Sequence, residues 1–375
     1  MKHLETFRQV VADPYAYARG LKEETGQKIV GYVCSYTPEE IILAAGGHPM
    51  RLLGTSNAIH LADSHLQTYC CALARGVLEE GLSGRASFLD GVVFPHTCDA
   101  VQRLSDIWRI NIPFGFHLDA VLPVKLDTPS ARAYMADTLD RFRGDLGQAL
   151  GREVTDEALR KALRTMNVIR EAIRDLYELR RRSPCVLAGR DLYTVVRASM
   201  IMERENLAFL LSESVTELKA AAAGAGGEVP TKRVLLAGGL CNIPDVYSLV
   251  EDAGGTVVWD DFCTGSRYFA TISDADAGPP MTAIANRFLE RVVCPAKHGG
   301  LERRADHILL LARDKEASGV VFVLPKFCDP HAFDYPHIKQ RLDEAGIPNL
   351  LIEIDDPLPA LGQLKTRFEA FLEML

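Results

Sequence analysis

Nine cysteines are the residues of this chain best suited to chemistry. Four of them follow a short apolar stretch within a few residues, as in GVVFPHTCDA at 91–100 and GVVFVLPKFCDP at 319–330. Such a stretch is typical of a buried strand. Because open α/β folds bind ligands at the carboxyl ends of their strands, we predict ligation by this set rather than packing alone. The four are Cys34, Cys98, Cys263 and Cys328.

Several kinds of cysteine chemistry compete for this pattern. A disulfide framework is not expected in a reducing compartment. Zinc sites usually contain a C-x-x-C pair, which the sequence lacks. Ligands dispersed along the chain and converging from several strand ends fit an iron–sulfur cluster held by thiolates. A thiol nucleophile with His96 or His298 as its base would account for only one cysteine.

Alternating strands and helices must position these cysteines. The segment KRVLLAGGLCNIPD repeats the order found in KIVGYVCSYTPEE: a strand, a cysteine, then a proline with an acid that begins a helix. Long helical periods fill the sequence between the two segments. We predict an α/β fold with two similar doubly wound parallel-sheet domains, Rossmann- or flavodoxin-like, and a helical domain between them. The predicted domains are 1–125, 126–225 and 226–375, with a linker at 224–229.

Local patterns refine the positions of individual cysteines. Residues 61–80 have the apolar spacing of one helix, which would contain both Cys70 and Cys71. Cys294 is expected at the end of a helix. Cys185 lacks a strand-end context and is interpreted as structural.

Two further patterns concern helix starts and charge. Thr37 is predicted to cap a helix that begins at Pro38, which places Cys34 between a strand end and a helix amino terminus. Cys241 occupies the position of Cys34 in the repeat, and its role stays ambiguous. The arginines at 180–182 are expected to be solvated.

Composition excludes some classes of function. The net charge of -8 gives no general electrostatic footprint for nucleic acid or an anionic membrane. The amino terminus lacks the apolar core of a secretory signal, and no stretch approaches about 18 consecutive apolar residues. We expect a globular, cytoplasmic protein. No G-x-x-x-x-G-K-[ST] string is present, so ATP hydrolysis by a P-loop is not expected.

Six cysteine-containing segments carry a resemblance: GYVCSYTPEEIILAAGGHPMRL, HLQTYCCALARGVLEE, FPHTCDAVQRLSDIWR, WDDFCTGSRYF, CPAKH and KFCDPHAFDYP. The chain resembles the 2-hydroxyacyl-CoA dehydratase and benzoyl-CoA reductase family, and it is most similar to the double-cubane cluster protein branch. The resemblance implies an iron–sulfur subunit that receives single electrons from a separate ATP-hydrolysing 4Fe-4S activator. It also implies three cysteine ligands for a single cubane and six for a sulfide-bridged double cubane.

The resemblance implies a set of six ligands, which we call the six candidate cysteines. Cys71 is preferred to Cys70 because the family motif has a basic residue four positions on, here Arg75. Their division between two cubanes stays open: one triple per half of the chain, a triple of Cys34, Cys71 and Cys328, or two mixed triples. The six candidate cysteines are Cys34, Cys71, Cys98, Cys263, Cys294 and Cys328.

Cations and proton donors are expected beside these ligands. A reduced cluster accumulates negative charge, so nearby cations would set its potential. His96 and His298 are the predicted proton donors, ahead of His65 and His331, which also lie near cysteines. The cations predicted to contact the cofactor are Arg75, Arg267, Lys297 and Lys326.

We therefore expect an oxidoreductase: the catalytic iron–sulfur component of a two-component, ATP-dependent reductase that acts on small unsaturated substrates at a double cubane. One alternative is the single-cubane subunit of a 2-hydroxyacyl-CoA dehydratase, a lyase, or of a benzoyl-CoA reductase. Another is an iron–sulfur electron carrier without turnover. A chain with its own full ligand set needs no unlike partner, so a homodimer is expected.

Overall fold

The computed structural model of the chain describes residues 1–54, 58–224, 231–239, 245–291, 293–297, 299–355 and 361–375. The strands are β1 (Ile29–Tyr32), β2 (His48–Arg51), β3 (Gly91–Phe94), β4 (Phe116–Asp119), β5 (Arg233–Gly238), β6 (Thr256–Asp261), β7 (Gly319–Pro325) and β8 (Asn349–Ile354). The helices are α1 (Leu4–Ala12), α2 (Pro14–Thr25), α3 (Glu39–Ala44), α4 (Ala72–Leu82), α5 (Asp99–Asn111), α6 (Pro129–Leu150), α7 (Asp156–Arg182), α8 (Gly189–Ser199), α9 (Arg204–Gly224), α10 (Val246–Asp252), α11 (Ser266–Phe269), α12 (Pro280–Leu289), α13 (Leu301–Asp314), α14 (Asp329–Glu344) and α15 (Leu361–Glu373).

The strands form two separate four-stranded sheets with the same internal order. The first sheet has the order β2-β1-β3-β4 and the second β6-β5-β7-β8. Every pairing is parallel. In both sheets the first two strands exchange places relative to the chain, as in flavodoxin-like folds. The predicted α/β class with two parallel sheets is confirmed, and the repeat in the sequence corresponds to a repeat in topology.

Helices α6 to α9 lie between the two sheets in the sequence, and α7 contacts both halves. On its amino-terminal part, Leu159 and Leu163 join the core beneath the first sheet. On its carboxyl-terminal part, the Tyr177 ring lies 5.0 Å from Trp259 of β6 and 4.7 Å from Phe269 of α11. This long helix therefore fixes one sheet relative to the other. No helix of the described part is long and apolar enough to cross a membrane.

The single helix predicted over 61–80 is wrong. A short 3-10 turn covers Ala62–Ser64, and α4 begins only at Ala72. Cys71 is the N-cap residue, with extended backbone (φ -60°, ψ 149°), and its carbonyl accepts the Ala74 amide at 3.0 Å. The apolar spacing continues across this break because both pieces pack on the same core, so periodicity alone did not reveal it.

Three other local predictions are corrected. Thr37 does not cap α3: Pro38 is the N-cap residue, and the buried Thr37 hydroxyl has no described partner. Cys294 follows α12 by several residues and lies in a turn rather than at the helix end. Arg180 is not solvated but buried, because it faces α10 and forms an ion pair there with Glu251. The linker at 224–229 lies almost wholly outside the described residues.

Candidate metal centre

Four of the six candidate cysteines directly follow strands. Parallel strands end at the same edge of a sheet, so these positions bring distant parts of the chain to two facing edges. Cys71, by contrast, precedes α4, and Cys294 lies between α12 and α13. Those that follow strands are Cys34 after β1, Cys98 after β3, Cys263 after β6 and Cys328 after β7.

Three helix amino termini converge on one cleft between the halves. Cys71, Cys98 and Cys328 are the N-cap residues of α4, α5 and α14. All three line a cleft of about 530 Å³. In each case the backbone N–H three residues on acts to lower the pKa of the sulfur, as Val101 does for Cys98. Such amides and the helix dipoles stabilise negative charge on sulfur.

The buried guanidinium of Arg267 lies beside Cys294 and Cys263. Its Nη1 donates to the Cys294 sulfur at 3.9 Å, and Arg267 lies in the short helix α11 that follows Cys263. Arg291 connects this region to the first sheet, because it donates to Ser35 Oγ at 2.7 Å and also to the Arg267 carbonyl. Ser35 is the neighbour of Cys34 in the chain. A guanidinium at this position supplies positive charge to several sulfurs at once.

Burial, together with repulsion from neighbouring thiols, raises the pKa of four of the candidate thiols, those of Cys71, Cys98, Cys294 and Cys328. Burial raises the pKa of the Cys98 thiol to about 12; the Val101 amide opposes the rise, and Cys71, Cys34 and Cys294 add to it. The pKa of Cys294 is raised by burial against the opposing charge of Arg267. Thiolates at these positions therefore need positive charge from a bound group.

The sulfur donors of this region do not form a site for a single ion within the described residues. Within the described residues, no three histidine, cysteine, aspartate or glutamate side chains are close enough to hold one metal ion. Ligands of one ion would be about 4 Å apart, since metal–sulfur bonds are about 2.3 Å long. Thiolates of a cubane bind different irons, so they stand further apart. Iron–sulfur clusters are held by such soft thiolate ligands.

The four predicted cations have different surroundings. Arg267 is buried among the sulfurs. Lys297 is also buried, with Nζ donating to the Leu122 carbonyl at 2.9 Å, and burial lowers its pKa while Cys34, Cys294 and Cys98 act to raise it.

The other two cations form ion pairs with carboxylates. Arg75 forms a two-point contact with Asp63, at 2.9 Å and 2.8 Å. Lys326 pairs with Asp355 at 2.7 Å and has 45% of its side chain exposed. Its described contacts do not reach a cysteine.

The predicted proton donors lie at the edge of the centre or outside the described residues. His96, with a left-handed backbone (φ 44°), contacts Asp119 Oδ1 through Nε2 at 2.9 Å. Ser105 donates to the same oxygen at 2.6 Å. His298 lies outside the described residues, as does Cys241. His331 is buried, and burial keeps its pKa well below the ordinary value.

A buried pair of acids missed in the sequence anchors the helix after Cys34. Glu40 accepts from Arg170 of α7 at 2.5 Å and from Arg287 of α12 at 3.1 Å. Its neighbour Glu39 accepts from Arg204 of α9 at 2.8 Å. The sequence signal for this pair was two adjacent acids at the start of a short apolar helix. The arginines that pair with these acids are distant in the sequence. This network holds α3 against three other helices.

A second missed residue, Asp260, shapes the turn that carries Cys263. Its Oδ1 accepts the amides of Phe262 at 3.1 Å and Ser266 at 2.7 Å, on either side of the cysteine. Its Oδ2 accepts the Tyr177 hydroxyl of α7 at 2.5 Å. The carboxylate therefore fixes the cysteine-bearing turn to the central helix. The segment WDDFC contains no local signal that separates this acid from its neighbour.

These features define a two-sheet α/β protein with a thiol-lined cleft between similar halves. The chain belongs to the family HGD-D, described as 2-hydroxyglutaryl-CoA dehydratase, D-component, which matches residues 34–375. The predicted family is confirmed. Its members' names identify them as subunits of enzymes with more than one component.

Three relatives span almost all of the chain. The chain is 26% identical to the (R)-phenyllactyl-CoA dehydratase beta subunit of Clostridium sporogenes, over 100% of this chain and 99% of the relative. It is 30% identical to a benzoyl-CoA reductase subunit of Thauera aromatica, over 89% and 87%. It is 28% identical to the beta subunit of (R)-2-hydroxyglutaryl-CoA dehydratase of Acidaminococcus fermentans, over 99% and 98%. A periplasmic metal binding protein from candidatus liberibacter asiaticus has a TM-score of 0.22 at 14% identity, over 92% and 99%, and bears on neither fold nor function.

Proposed function

We propose that this protein is the catalytic iron–sulfur component of a two-component reductase. The six candidate cysteines would hold a double cubane, two 4Fe-4S units joined by a sulfide. A separate ATP-hydrolysing 4Fe-4S activator would supply low-potential electrons, and small unsaturated substrates would accept them. This assignment makes the chain an oxidoreductase rather than a lyase. The proposed location is the cytoplasm.

One observation carries the proposal: half-buried thiols from both halves of the chain lie at one cleft and beside one buried cation. Three of the sulfurs line the cleft, and Cys294 contacts Arg267. A single cubane in this family uses only three cysteines, so six in one region support the larger cluster. Thiols that burial keeps protonated in the free chain are suited to a group that brings its own positive charge.

The chain's own residues would hold the centre and limit access to it. The cluster would supply low-potential single electrons when bound. Arg267 and Lys297 would counter its negative charge, and the amides at the starts of α4, α5 and α14 would donate to its thiolates. The rim of the cleft would admit substrate between Val124 and Phe333, which is 79% exposed. His96, which contacts Asp119, and His298 are the proposed proton donors.

Anaerobic purification with iron and sulfide analysis tests the proposal. We expect about eight irons per chain, because each of two cubanes contains four. A chain with about four irons would hold a single cubane, and a chain with none would lose the proposed chemistry altogether. Sedimentation of the same sample tests the proposed homodimer. Reduction of the cluster by an activator of this family, only with ATP present, tests the electron source.

A single-cubane subunit that acts on CoA thioesters is the second candidate, and the names of the relatives favour it. The cleft itself favours a smaller, uncharged substrate. Its described lining includes Asp99, Asp329 and Asp334 but no lysine or arginine. The phosphates of CoA would therefore meet carboxylates instead of the cations that bind phosphate.

We accordingly expect the reduced chain not to be retained on an immobilised CoA thioester, while reducing a small uncharged substrate such as an alkyne. Turnover of CoA thioesters with the activator would reverse this preference and establish the second candidate. Asp329→Lys is a useful companion variant because it adds a cation at the cleft. If the parent is not retained because its cleft lacks a cation that binds phosphate, Asp329→Lys should be retained on the immobilised CoA thioester.

A further inference from the structure

We infer that Arg51 and Arg291 have the anionic iron–sulfur centre as their counter-ion: each destabilises the chain that lacks the centre and stabilises the chain that holds it. The inference rests on the proposed function and deepens it, because it names two charge-balancing residues of the same site. Neither residue is among the cations predicted from the sequence. Both would act through position and charge, and neither is proposed to touch substrate.

The two arginines differ from the other buried arginines in having no acidic partner. Ten arginines of the described part of the chain are buried, and eight of them pair with a carboxylate. Arg51 and Arg291 form no ion pair with any carboxylate that the structure describes, although they are only 2% and 7% exposed. A buried charge without a partner is costly, because it has lost water and gained no opposite charge.

Arg51 ends strand β2 in the first half of the chain and reaches into the second half. Its Nη1 donates to the Cys263 carbonyl at 2.8 Å and contacts the Met200 sulfur at 3.5 Å. Its Nε has no hydrogen-bond partner among the described residues. A carbonyl and a thioether carry no net charge, so they accept hydrogen bonds without neutralising the guanidinium. The charge of Arg51 therefore lies against the backbone of a candidate ligand.

Arg291 has the same kind of surroundings at the turn that follows β1. It donates to the Ser35 hydroxyl at 2.7 Å, and also to the carbonyls of Ser35 and Arg267. Its guanidinium carbon lies 4.6 Å from the centre of the Tyr36 ring. None of these contacting groups carries a negative charge. Because Ser35 is next to Cys34, this charge also lies beside a candidate ligand.

An iron–sulfur centre is the counter-ion that fits both positions. Its thiolate ligands bring negative charge, and each electron that it accepts adds more. Asp261 is not free for this role, because Arg267 and Arg304 already share its carboxylate. Arg51 and Arg291 would therefore favour the reduced centre over the oxidised one, and the chain with the centre over the chain without it.

A purely structural role for these arginines predicts a different pattern. If they served only as hydrogen-bond donors between the halves, removing either would weaken the fold with and without the centre. A counter-ion role predicts opposite signs, because one change removes an unpaired charge and the other breaks a pair. The sign of the change in the chain without iron therefore separates the two roles.

Arg51→Met and Arg291→Met, made as full chains, test the inference in two forms: purified anaerobically with the centre, and after removal of iron by an oxidant and a chelator. Without iron, the midpoint of denaturant unfolding in each variant should equal or exceed that of the parent. With iron, the midpoint should be lower. Redox titration followed by electron paramagnetic resonance should then show the equilibrium constant for one-electron reduction lowered about tenfold, which corresponds to about 59 mV. A lower midpoint without iron, or an unchanged potential with iron, would overturn the inference.

Two further variants serve as controls. Arg180→Met removes a buried arginine that pairs with Glu251, so its midpoint should fall in both forms. Arg51→Lys keeps the charge and should keep a potential close to that of the parent. If the iron-free chain shows no cooperative transition, the potentials decide alone. If a methionine variant holds no iron, its iron-free midpoint decides.

Iron and sulfide analysis of the parent separates this inference from the proposed function. A parent without iron contradicts the proposed function, and the counter-ion named here fails with it. A parent with iron, in which Arg51→Met and Arg51→Lys have the same potential, supports the centre and contradicts only the role given to the arginine.

Discussion

Glu40→Gln is expected to lower the free energy of unfolding by about 3–5 kcal/mol. The Glu40 carboxylate is fully buried and lies between the guanidinium groups of Arg170 and Arg287, which are also buried. Glutamine has nearly the same shape but no charge, so two buried cations would lose their shared counter-charge. Breaking a buried ion pair on one side is costly because the remaining charge stays out of water. Glu40 is not among the described residues that line the cleft, so the loss should appear in stability first.

The same variant should change the acid sensitivity of the fold. Burial opposes ionisation of Glu40, but Arg170 and Arg287 outweigh it and hold its pKa at about 2, below the ordinary 4.5. A carboxyl whose folded pKa is lowered stabilises the protein fully above its unfolded pKa, and loses that contribution as the pH falls through its folded pKa. We therefore expect the parent to lose about 3 kcal/mol from this group between about pH 5 and pH 2.

Denaturant titrations at several pH values, on anaerobic protein with its cluster, measure both effects. The variant should have a lower midpoint at neutral pH and a weaker pH dependence below about pH 5. Glu213→Gln is the matched control because its carboxylate forms exposed ion pairs with Lys2 and His3. Exposed pairs contribute about 0–1 kcal/mol, so this change should be small. Equal stability in the two variants would contradict the role given to Glu40.

Much of the site was predictable because its determinants are local in the sequence. A short apolar run followed by a turn with proline, aspartate or glycine marks the end of a buried strand, and this placed Cys34, Cys98, Cys263 and Cys328 correctly after β1, β3, β6 and β7. The repeat of strand, cysteine and helix likewise predicted two similar parallel sheets. The order of strands in each sheet was not predicted, because it depends on contacts between distant segments.

The features that were missed all depend on long-range partners. Arg170 lies 130 positions from Glu40, and no local pattern in either segment indicates the other. Strand β4 is only partly buried, with the mixed sequence FHLD, so it lacks the apolar run that marks strands such as β1 and β7. The break before α4 was hidden because both sides of it pack on one core.

Arg267→Gln is expected to make the cluster harder to reduce by about 100–200 mV. The guanidinium is buried, and its Nη1 lies 3.9 Å from the Cys294 sulfur. A unit charge at about 4 Å, with an effective dielectric constant of about 20, contributes about 4 kcal/mol, and spreading the charge over a cluster reduces this to about half. The conversion assumes transfer of one electron per cluster, for which about 59 mV corresponds to a tenfold change in the equilibrium constant. On this scale, about 2–4 kcal/mol corresponds to the stated shift in reduction potential.

We expect Arg267→Gln to affect the stability of the fold less than it affects the reduction potential of the cluster. Asp261, which faces Arg267, keeps its ion pair with Arg304 and its contact with His307 at 3.2 Å. The buried carboxylate is therefore not left without a positive partner. Arg267→Lys should recover part of the potential, because the charge returns, whereas lysine cannot contact both the Cys294 sulfur and the Gly238 carbonyl as the guanidinium does.

Redox titration followed by electron paramagnetic resonance measures the effect without turnover. Lys326→Gln serves as the matched control, since this cation pairs with Asp355 at 2.7 Å on an exposed surface. Its removal should shift the potential by less than about 20 mV, because solvent and salt screen an exposed charge. If Arg267→Gln and Lys326→Gln gave the same small shift, with iron content unchanged, the guanidinium would not face a reducible centre.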